Sequence, residues 1–297
     1  MKILCIGQSA YDITLPVSDY PIENRKYKIN NVVECGGGSA NNMAYLLALW
    51  KMDITFASSI GNDLYGKKIY DELERVGVKT KYLEMKSNVP TTTSYIINNL
   101  SNGSRTIITN KKEDMELDIN KEINLKPDII LLDGNEYAFA RKAIEENKEA
   151  IKIIDAGSLK EDTVNLSKLC DYIVCSNDFA KDYTKINFSY QDIDKIKEVY
   201  GILDRDFPGK VIITLESYGS ITKIDNEFKL VPSIKVESID STGAGDIFHG
   251  AFTYFIANNY SLLDTLRFSN IAGALSVTKI GSKASMPKLE EVINYHE

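Results

Sequence analysis

The stretch Asp240-Ser241-Thr242-Gly243-Ala244-Gly245-Asp246 runs directly into the apolar segment Ile247-Phe248-His249-Gly250-Ala251-Phe252. The small residues predict a turn and the apolar run predicts a helix. A helix N-terminus presents unpaired N–H groups and a partial positive charge, which suits a phosphate oxyanion. A carboxylate at Asp246 would repel that anion unless it has a task, such as accepting a proton from an attacking hydroxyl. An ordinary helix with an acidic first turn is the alternative interpretation.

Outward from this stretch, short apolar runs alternate with longer helix-like segments. The predicted strands are Ile3–Ile6, Ile54–Ser58, Ile129–Leu132, Ile151–Ile154, Tyr172–Val174 and Val211–Leu215. The predicted helices are Ala40–Trp50, Leu64–Val76, Tyr137–Asn147, Asp192–Leu203, Ala244–Asn258 and Leu262–Thr278. This alternation is typical of the α/β class, with a doubly wound, mostly parallel sheet flanked by helices.

Two segments, 12–34 and 91–109, look like strands and turns without crossover helices. Within the second, Thr92–Asn98 and Ser104–Thr109 predict a hairpin around Ser101-Asn102-Gly103. An antiparallel piece drawn from two places predicts a small β lid. We therefore assign 12–34 and 91–109 to the lid, and 1–11, 35–90 and 110–297 to the α/β core.

Composition narrows the class of protein. The chain has 297 residues, a formal net charge of −7, four cysteines and only His249 and His296 as imidazoles. The negative charge disfavours a nucleic-acid partner, and no apolar run is long enough to span a membrane. The cysteines lack the Cys-x-x-Cys spacing, so a structural zinc site is not expected and reduced thiols in the cytoplasm fit best.

Four further motifs follow the same order along the chain as those of a known family. They are Gly36-Gly37-Gly38-Ser39-Ala40-Asn41, Gly61-Asn62-Asp63-Leu64-Tyr65-Gly66, Gly103-Ser104-Arg105 and Gly281-Ser282-Lys283-Ala284-Ser285-Met286-Pro287. Together with the first stretch they resemble the ribokinase-like (pfkB) carbohydrate kinase family over nearly the whole chain. The resemblance implies a kinase that uses ATP and Mg²⁺ to phosphorylate a sugar. It also implies a β-sheet lid over the sugar site that often forms the contact of a homodimer.

For the sugar, the resemblance implies contacts from Asp12, Gly36, Gly37 and Asn41. A carboxylate at Asp12 can accept two hydroxyl hydrogen bonds, and Asn41 can both donate and accept. Ribokinases often carry a lysine at the position of Gly38, so ribose is no more strongly indicated than a ketose or a modified hexose. On the lid, Arg105 follows the hairpin turn and would reach an anionic group of the substrate if the lid closes. A solvated strand residue is the alternative interpretation.

For phosphoryl transfer, the resemblance implies Asp246 as general base and the N–H groups around Gly243, Ala244 and Gly245 as an anion hole. It implies a nucleotide site that includes Asn177, Thr214, Gly219 and Asn270. Two departures concern this site. Ala180 stands where the family has a glutamate that organises magnesium through water, and Glu216 replaces a glycine of the nucleotide loop.

A monovalent cation site completes the residues that the resemblance implies. Asp240, Thr242, Gly281 and Ser285 match the positions where many members bind the cation, so potassium activation is predicted. His249 is predicted to be a packing residue. The segment Asp133-Gly134-Asn135-Glu136 follows a strand and is a candidate for the lining of the sugar pocket.

Other classes of nucleotide-binding protein fit less well. Gly61–Lys68 nearly matches the P-loop pattern, but Lys68 stands where a magnesium-binding hydroxyl is required. Gly243 and Gly245 have part of the dinucleotide fingerprint, but Phe248 occupies the place of its third glycine. The alternatives that remain are a nucleoside kinase of the same family and a sugar- or nucleotide-binding sensor that has lost efficient catalysis.

Overall fold

The computed structural model describes residues 1–112 and 115–295, so His296 lies outside these ranges. The strands are, in chain order, β1 (Lys2–Ile6), β2 (Ala10–Val17), β3 (Val33–Gly37), β4 (Asp53–Gly61), β5 (Lys79–Lys86), β6 (Thr93–Asn99), β7 (Ser104–Asn110), β8 (Ile129–Leu132), β9 (Ile151–Ala156), β10 (Tyr172–Ser176), β11 (Lys210–Thr214), β12 (Ser220–Ile224) and β13 (Glu227–Val231). The helices are α1 (Ser39–Leu49), α2 (Leu64–Val76), α3 (Tyr137–Glu146), α4 (Glu161–Ser167), α5 (Asn177–Thr184), α6 (Ile193–Asp206), α7 (Ala244–Ala257), α8 (Leu262–Ser276) and α9 (Leu289–Ile293).

The large sheet has the strand order β13-β12-β11-β10-β9-β8-β1-β4-β5. In this spatial order, all strands from β11 across to β5 are parallel to one another. The strands β12 and β13 extend the sheet as an antiparallel edge. The chain places β4 on one side of β1 and β8 on the other. The order therefore reverses between β1 and β8, and a cleft forms at the carboxyl ends of the strands at such a point.

Both faces of the large sheet are covered by helices. Along β1, Leu4 and Ile6 face the cluster that contains α3, α4, α5 and α6, whereas Ile3 and Cys5 face α1, α2, α7 and α8. The alternation follows from the two-residue period of a strand, and burial of both faces explains why these strands read as continuous apolar runs. The predicted doubly wound α/β fold is confirmed.

A separate four-stranded sheet has the order β3-β2-β6-β7. Its β6–β7 pair is the predicted hairpin, with Asn99 opposite Ser104. The β2–β3 pair is also antiparallel, but the central strands β2 and β6 run parallel because they come from different parts of the chain. The predicted small lid sheet is therefore present, with one parallel pairing at its centre.

The elements that the sequence did not predict are short or border the sheet. They are β5, β12, β13, α4, α5 and α9. In β5 only Tyr82 and Leu83 are buried, so this edge strand lacks the apolar run that identifies a central strand. Within the described ranges, no helix is both long and apolar enough to cross a lipid bilayer.

Candidate active site

The first feature of the site is the N-terminus of α7. Gly243 precedes the helix with a left-handed φ of 79°, and its carbonyl accepts the N–H of Ile247 at 2.9 Å. In the described part of the chain, the N–H groups of Gly245 and Asp246 have no backbone acceptor. A Cβ placed on Gly245 would meet no atom within 4 Å. The helix therefore presents free donors beside open space, which is the geometry of an anion site.

Asp246 lies in the first turn of this helix and is partly buried. Its Oδ2 accepts a hydrogen bond from Nδ2 of Asn42 on α1 at 2.7 Å. Burial raises the pKa of the Asp246 carboxyl, and hydrogen bonds from Asn42 and Ser39 act in the opposite direction. The carboxylate is thus oriented by a neutral donor, and a raised pKa makes it a better proton acceptor.

Asp12, on β2, lies on the other side of the cleft and is 5% exposed. Burial raises the pKa of its carboxyl to about 6, although a hydrogen bond with Ser94 lowers it. A Cβ on Gly37 would overlap this carboxylate, so only glycine permits the close approach. The charge on Asp246 also raises the pKa of Asp12, so the two carboxylates lie near each other. The residue predicted to bind the sugar and the residue predicted to act as base therefore belong to one site.

Asn41 is held between two other side chains. Its Nδ2 donates to Oγ of Ser9 at 2.9 Å, and its Oδ1 accepts from Nζ of Lys283 at 2.6 Å. The Lys283 ammonium also lies 4.4 Å from the centre of the Tyr45 ring. Burial lowers the pKa of Lys283 to about 8, while Glu72, Cys35, Asp12 and Asp246 act to raise it. Lys283 is therefore a cation of this site that the sequence-based reasoning missed.

Two carboxylates fix the backbone around the pocket. Glu72 on α2 accepts the N–H of Gly36 at 2.7 Å, so this N–H is used inside the protein. Asp133, which follows β8, accepts the N–H groups of Gln8 at 2.8 Å and Ala40 at 3.2 Å. The candidate lining residue Asp133 is therefore an anchor of the loops that carry the site.

Arg105 connects the lid to the loop in front of α7. Its Nη1 donates to Oγ of Ser241 at 2.6 Å, and that hydroxyl donates to the carbonyl of Gly103 at 3.1 Å. The charge on Arg105 also lowers the pKa of Asp246. A lid residue thus reaches the region of the anion site.

Two of the four residues predicted for the nucleotide, Asn177 and Thr214, lie at the carboxyl ends of β10 and β11, and each contacts other protein groups. Asn177 accepts from Nζ of Lys181 at 3.0 Å and donates to Oε1 of Glu216 at 3.4 Å. Thr214 Oγ1 donates to the carbonyl of Cys175 at 3.3 Å.

The local backbone explains why residue 219 is glycine, and hydrogen bonds within the protein explain why residue 270 is asparagine. Gly219 has a φ of 104°, and a Cβ there would overlap the carbonyl of Val231. The Asn270 amide donates to that same carbonyl at 2.9 Å and to Oγ of Ser220 at 3.2 Å. Asn270 therefore joins α8 to the β12–β13 edge.

The four residues predicted to bind a monovalent cation lie in two loops joined by Asp240. Its carboxylate accepts the N–H of Thr242 at 2.9 Å and the N–H of Gly281 at 2.9 Å. Ser285 donates from its backbone N–H to the carbonyl of Gly281 at 3.2 Å. The Thr242 hydroxyl is buried and has no hydrogen-bond partner within the described residues.

The family model described as "pfkB family carbohydrate kinase" matches residues 1–289 of this chain. The chain belongs to the pfkB family of carbohydrate kinases. It is 26% identical to a ribokinase of Bacillus subtilis (strain 168), covering 98% of each chain. A putative ribokinase of Agrobacterium tumefaciens superposes with a TM-score of 0.87 at 22% identity, covering 98% of this chain and 96% of that one. An Arabidopsis thaliana ribokinase complexed with ribose and ATP has a TM-score of 0.78 at 23% identity, covering 98% and 97%.

The predicted family and the predicted enzyme class, a carbohydrate kinase, are therefore confirmed.

The near match of Gly61–Lys68 to a P-loop has another structural explanation. Asp63 caps α2 by accepting the N–H of Gly66 at 2.8 Å, and a Cβ on Gly66 would overlap the carbonyl of Gly61. Lys68, which stands in place of the P-loop hydroxyl, donates from its ammonium to the Tyr11 hydroxyl at 2.9 Å and to Glu34 at 3.0 Å.

One departure from the ribokinases of this family also has a local cause. Gly38 has a φ of 90°, and a Cβ at this position would lie 2.7 Å from the carbonyl oxygen of Gln8. A lysine cannot occupy this backbone without a shift of the loop. The cation near Asn41 and Asp12 is instead Lys283, from the C-terminal loop.

His249 is more than the packing residue that was predicted. It is 3% exposed, and each ring nitrogen lies within hydrogen-bond distance of an oxygen. The partner of one nitrogen, Asp155, has a pKa that burial raises to about 7, with His249 lowering it. A polar pair is therefore buried below the first turn of α7.

Proposed function

We propose that this chain transfers the γ-phosphoryl group of ATP to a hydroxyl of a sugar: a ketose, ribose or a modified hexose. The observation that carries the proposal is the position of Asp246, a half-buried carboxylate oriented by Asn42 beside the free N–H groups of α7. The similarity to ribokinases, one of them complexed with ribose and ATP, supports both the sugar and the nucleotide.

Asp246 would accept the proton of the sugar hydroxyl as its oxygen attacks the γ-phosphorus in line. The N–H groups around Gly243, Ala244 and Gly245 would stabilise charge on the transferred oxygens, together with that of Asp246. Those of Gly245 and Asp246 have no backbone acceptor in the described part of the chain. Because these donors belong to a preformed helix end, they would require no reorganisation during the reaction.

The sugar would lie between Asp12 and Asp246. Asp12 would accept hydroxyl hydrogen bonds, while Gly37 allows the close approach of the backbone. Asn41 and Lys283 form one hydrogen-bonded unit, so the ammonium is a further donor to the sugar. Lid closure through Arg105 would keep water from accepting the phosphoryl group.

Magnesium would enter with the phosphates of ATP and neutralise their charge, because it prefers hard oxygen ligands and retains waters. Among the described residues, no three His, Cys, Asp or Glu side chains form a metal-binding cluster. Ala180 carries no donor, but the side chains of Asn177 and Glu216, 3.4 Å apart, offer oxygens that fit water ligands of the ion. We propose these two residues for that role.

Potassium would be held by Asp240, Thr242, Gly281 and Ser285. The buried hydroxyl of Thr242, which has no partner in the described part of the chain, is an oxygen donor that fits such a cation.

We also propose a homodimer formed through the lid, whose outer face carries exposed apolar side chains, among them Tyr95 and Ile108.

The test is ADP release from MgATP against a panel of ketoses, aldoses, sugar phosphates and nucleosides, with and without potassium. Rapid turnover of one sugar is the expected result. Turnover of a nucleoside alone would establish the nucleoside kinase instead. Binding of ATP or sugar by calorimetry without turnover of any member would favour the sensor, for which Ala180 and Glu216 are the supporting features.

A further inference from the structure

His249 bridges α7 and the strands that it packs against. Its Nδ1 lies 2.6 Å from the carbonyl oxygen of Gly245 on the same helix. Its Nε2 lies 3.1 Å from the carbonyl oxygen of Val174 on β10 and 3.3 Å from Oδ1 of Asp155 on β9. Both side chains of the His249–Asp155 pair are at least nine-tenths buried, with relative exposures of 4% and 8%.

The partners of the ring determine how many protons it carries. The carbonyl oxygens of Gly245 and Val174 can only accept hydrogen bonds, and they face opposite ring nitrogens. A neutral imidazole donates from one nitrogen and would direct the lone pair of the other at a carbonyl oxygen. Only the imidazolium donates on both sides, and the Asp155 carboxylate is then its counter-charge.

The contact with Gly245 connects this charge to the anion site. The Gly245 carbonyl and the N–H of Asp246 belong to the same peptide group. That N–H is one of the donors of α7 without a backbone acceptor among the described residues. A charged donor on the carbonyl oxygen polarises the peptide group and strengthens its N–H as a donor.

We propose that His249 is an imidazolium, held by Asp155, that polarises the Gly245–Asp246 peptide toward the transferred phosphoryl group. His249 acts through this peptide and is a positioning residue. The inference rests on the proposed kinase function, because it assigns the anion site to the γ-phosphoryl group. It adds a second group, beside Asp246, on which the rate of phosphoryl transfer depends.

The groups that face the pair are mostly acids. Asp246 lies on the same helix as His249, Asp133 follows β8, and both act to raise the pKa of Asp155. Arg105 is the cation that acts on Asp246 from the lid. The carboxylates among these groups stabilise a charged ring.

The first experiment measures the protonation of His249 in the wild-type protein. NMR of the full chain labelled with ¹⁵N in histidine reports whether each ring nitrogen carries a proton, and the His249 signals are assigned with His249→Gln. Two protonated nitrogens at neutral pH are expected. One unprotonated nitrogen would overturn the proposal, and this result does not depend on kinase activity.

The second experiment compares His249→Gln with Thr253→Val, a control that also removes a buried polar group of α7. Thr253 donates only to the His249 carbonyl of its own helix, at 2.9 Å. His249→Gln should lower kcat about tenfold, less than the ~100-fold loss of a whole anion-hole donor. It should weaken binding of the ATP analogue AMP-PNP but leave that of ADP unchanged, since only the analogue has a γ-phosphate.

Asp155→Asn removes the counter-charge of the ring and should lower kcat in the same direction as His249→Gln. Equal losses of ADP and AMP-PNP affinity in His249→Gln, or an unchanged kcat in Asp155→Asn, would overturn the proposal. If neither variant folds, the NMR measurement on the wild type decides. A wild type that phosphorylates no substrate would contradict the proposed function and leave the NMR result intact.

Discussion

Nδ2 of Asn42 donates to Oδ2 of Asp246 at 2.7 Å and joins α1, which follows the glycine-rich turn, to α7, which begins at the anion site. The bond orients one carboxylate oxygen, and Ser39 also donates a hydrogen bond to this carboxylate. The proposed sugar-binding half of the site and the proposed phosphoryl-binding half are thereby joined by a hydrogen bond. Each half can be tested by a separate substitution.

Replacement of the proposed base is the most direct test. Asp246→Asn keeps the shape of the side chain and removes its capacity to accept a proton. We expect kcat to fall roughly 10²–10⁴-fold, with ATP binding by calorimetry preserved. Asp194→Asn, at a side chain that is 98% exposed, is the matched control and should behave as wild type. Near-normal turnover in Asp246→Asn would contradict the mechanism.

Asp12 should show opposite effects on activity and stability. Burial raises its pKa from 3.8 to about 6, so the folded state binds more protons than the unfolded chain between these values. Stability therefore falls as the pH rises through this window, and above it the charge costs up to about 3 kcal/mol. Asp12→Asn should raise the free energy of unfolding at pH 8, measured by urea denaturation.

The same pKa predicts the pH dependence of sugar binding by the wild type. Protonation of Asp12 removes one hydrogen-bond acceptor, so kcat/KM for the sugar should decrease as the pH falls through about 6. The KM for ATP should not change with it. Asp12→Asn should lower kcat/KM for the sugar at all pH values. An Asp12→Asn variant that is destabilised at pH 8 and fully active would contradict both the stability prediction and the sugar-binding prediction.

Replacement of Lys283 should affect the binding of the sugar rather than the binding of the nucleotide. Lys283→Met keeps much of the apolar stem and removes the donor to Asn41, so KM for the sugar should rise about 10–100-fold, as for loss of a charged hydrogen bond. In the wild type, sugar affinity should fall as the pH rises above about 8, where the ammonium loses its proton. Lys279→Met, at an exposed lysine of the preceding segment, is the control. A changed KM for ATP alone would contradict this assignment.

Local motifs explain why so much of the fold, and the helix start at Ala244, could be predicted from the sequence. The turn Gly243-Ala244-Gly245 and the helix that follows it are adjacent in sequence, so spacing alone indicates a helix N-terminus. Buried parallel strands such as Ile129–Leu132 also read directly as apolar runs.

The interactions that were missed join distant segments. Lys283 and Asn41 are separated by 242 positions, and Asp133 and Gln8 by 125, so no local pattern predicts that they meet. Lys283 stands among small residues of the C-terminal loop, and this was the one signal available for it. His249 was assigned to packing because an apolar helix face surrounds it, whereas its polar partners belong to other elements or to the helix backbone.

The outer face of the lid predicts self-association. Tyr95 on β6 and Ile108 on β7 are cross-strand partners with exposures of 44% and 59%. Ile108→Lys should weaken the proposed dimer at least tenfold, measured by sedimentation velocity, because a charge would be buried against an apolar surface. Leu263→Lys, at a side chain of α8 that is 49% exposed, should leave assembly unchanged. A wild type that is monomeric at high concentration would contradict the proposal.

Two glycines that lie in helices allow stability and ligand approach to be separated. Gly245 on α7 and Gly201 on α6 both have open space where a Cβ would stand, with no atom within 4 Å. Alanine at either position should stabilise the free protein by up to about 1 kcal/mol, because glycine is the weaker helix former. Only Gly245→Ala should lower activity, because its methyl group would occupy the space where a phosphoryl group approaches the N–H donors. Thermal unfolding and steady-state kinetics of both variants test this directly. Full activity in a stabilised Gly245→Ala would show that the phosphoryl group binds elsewhere.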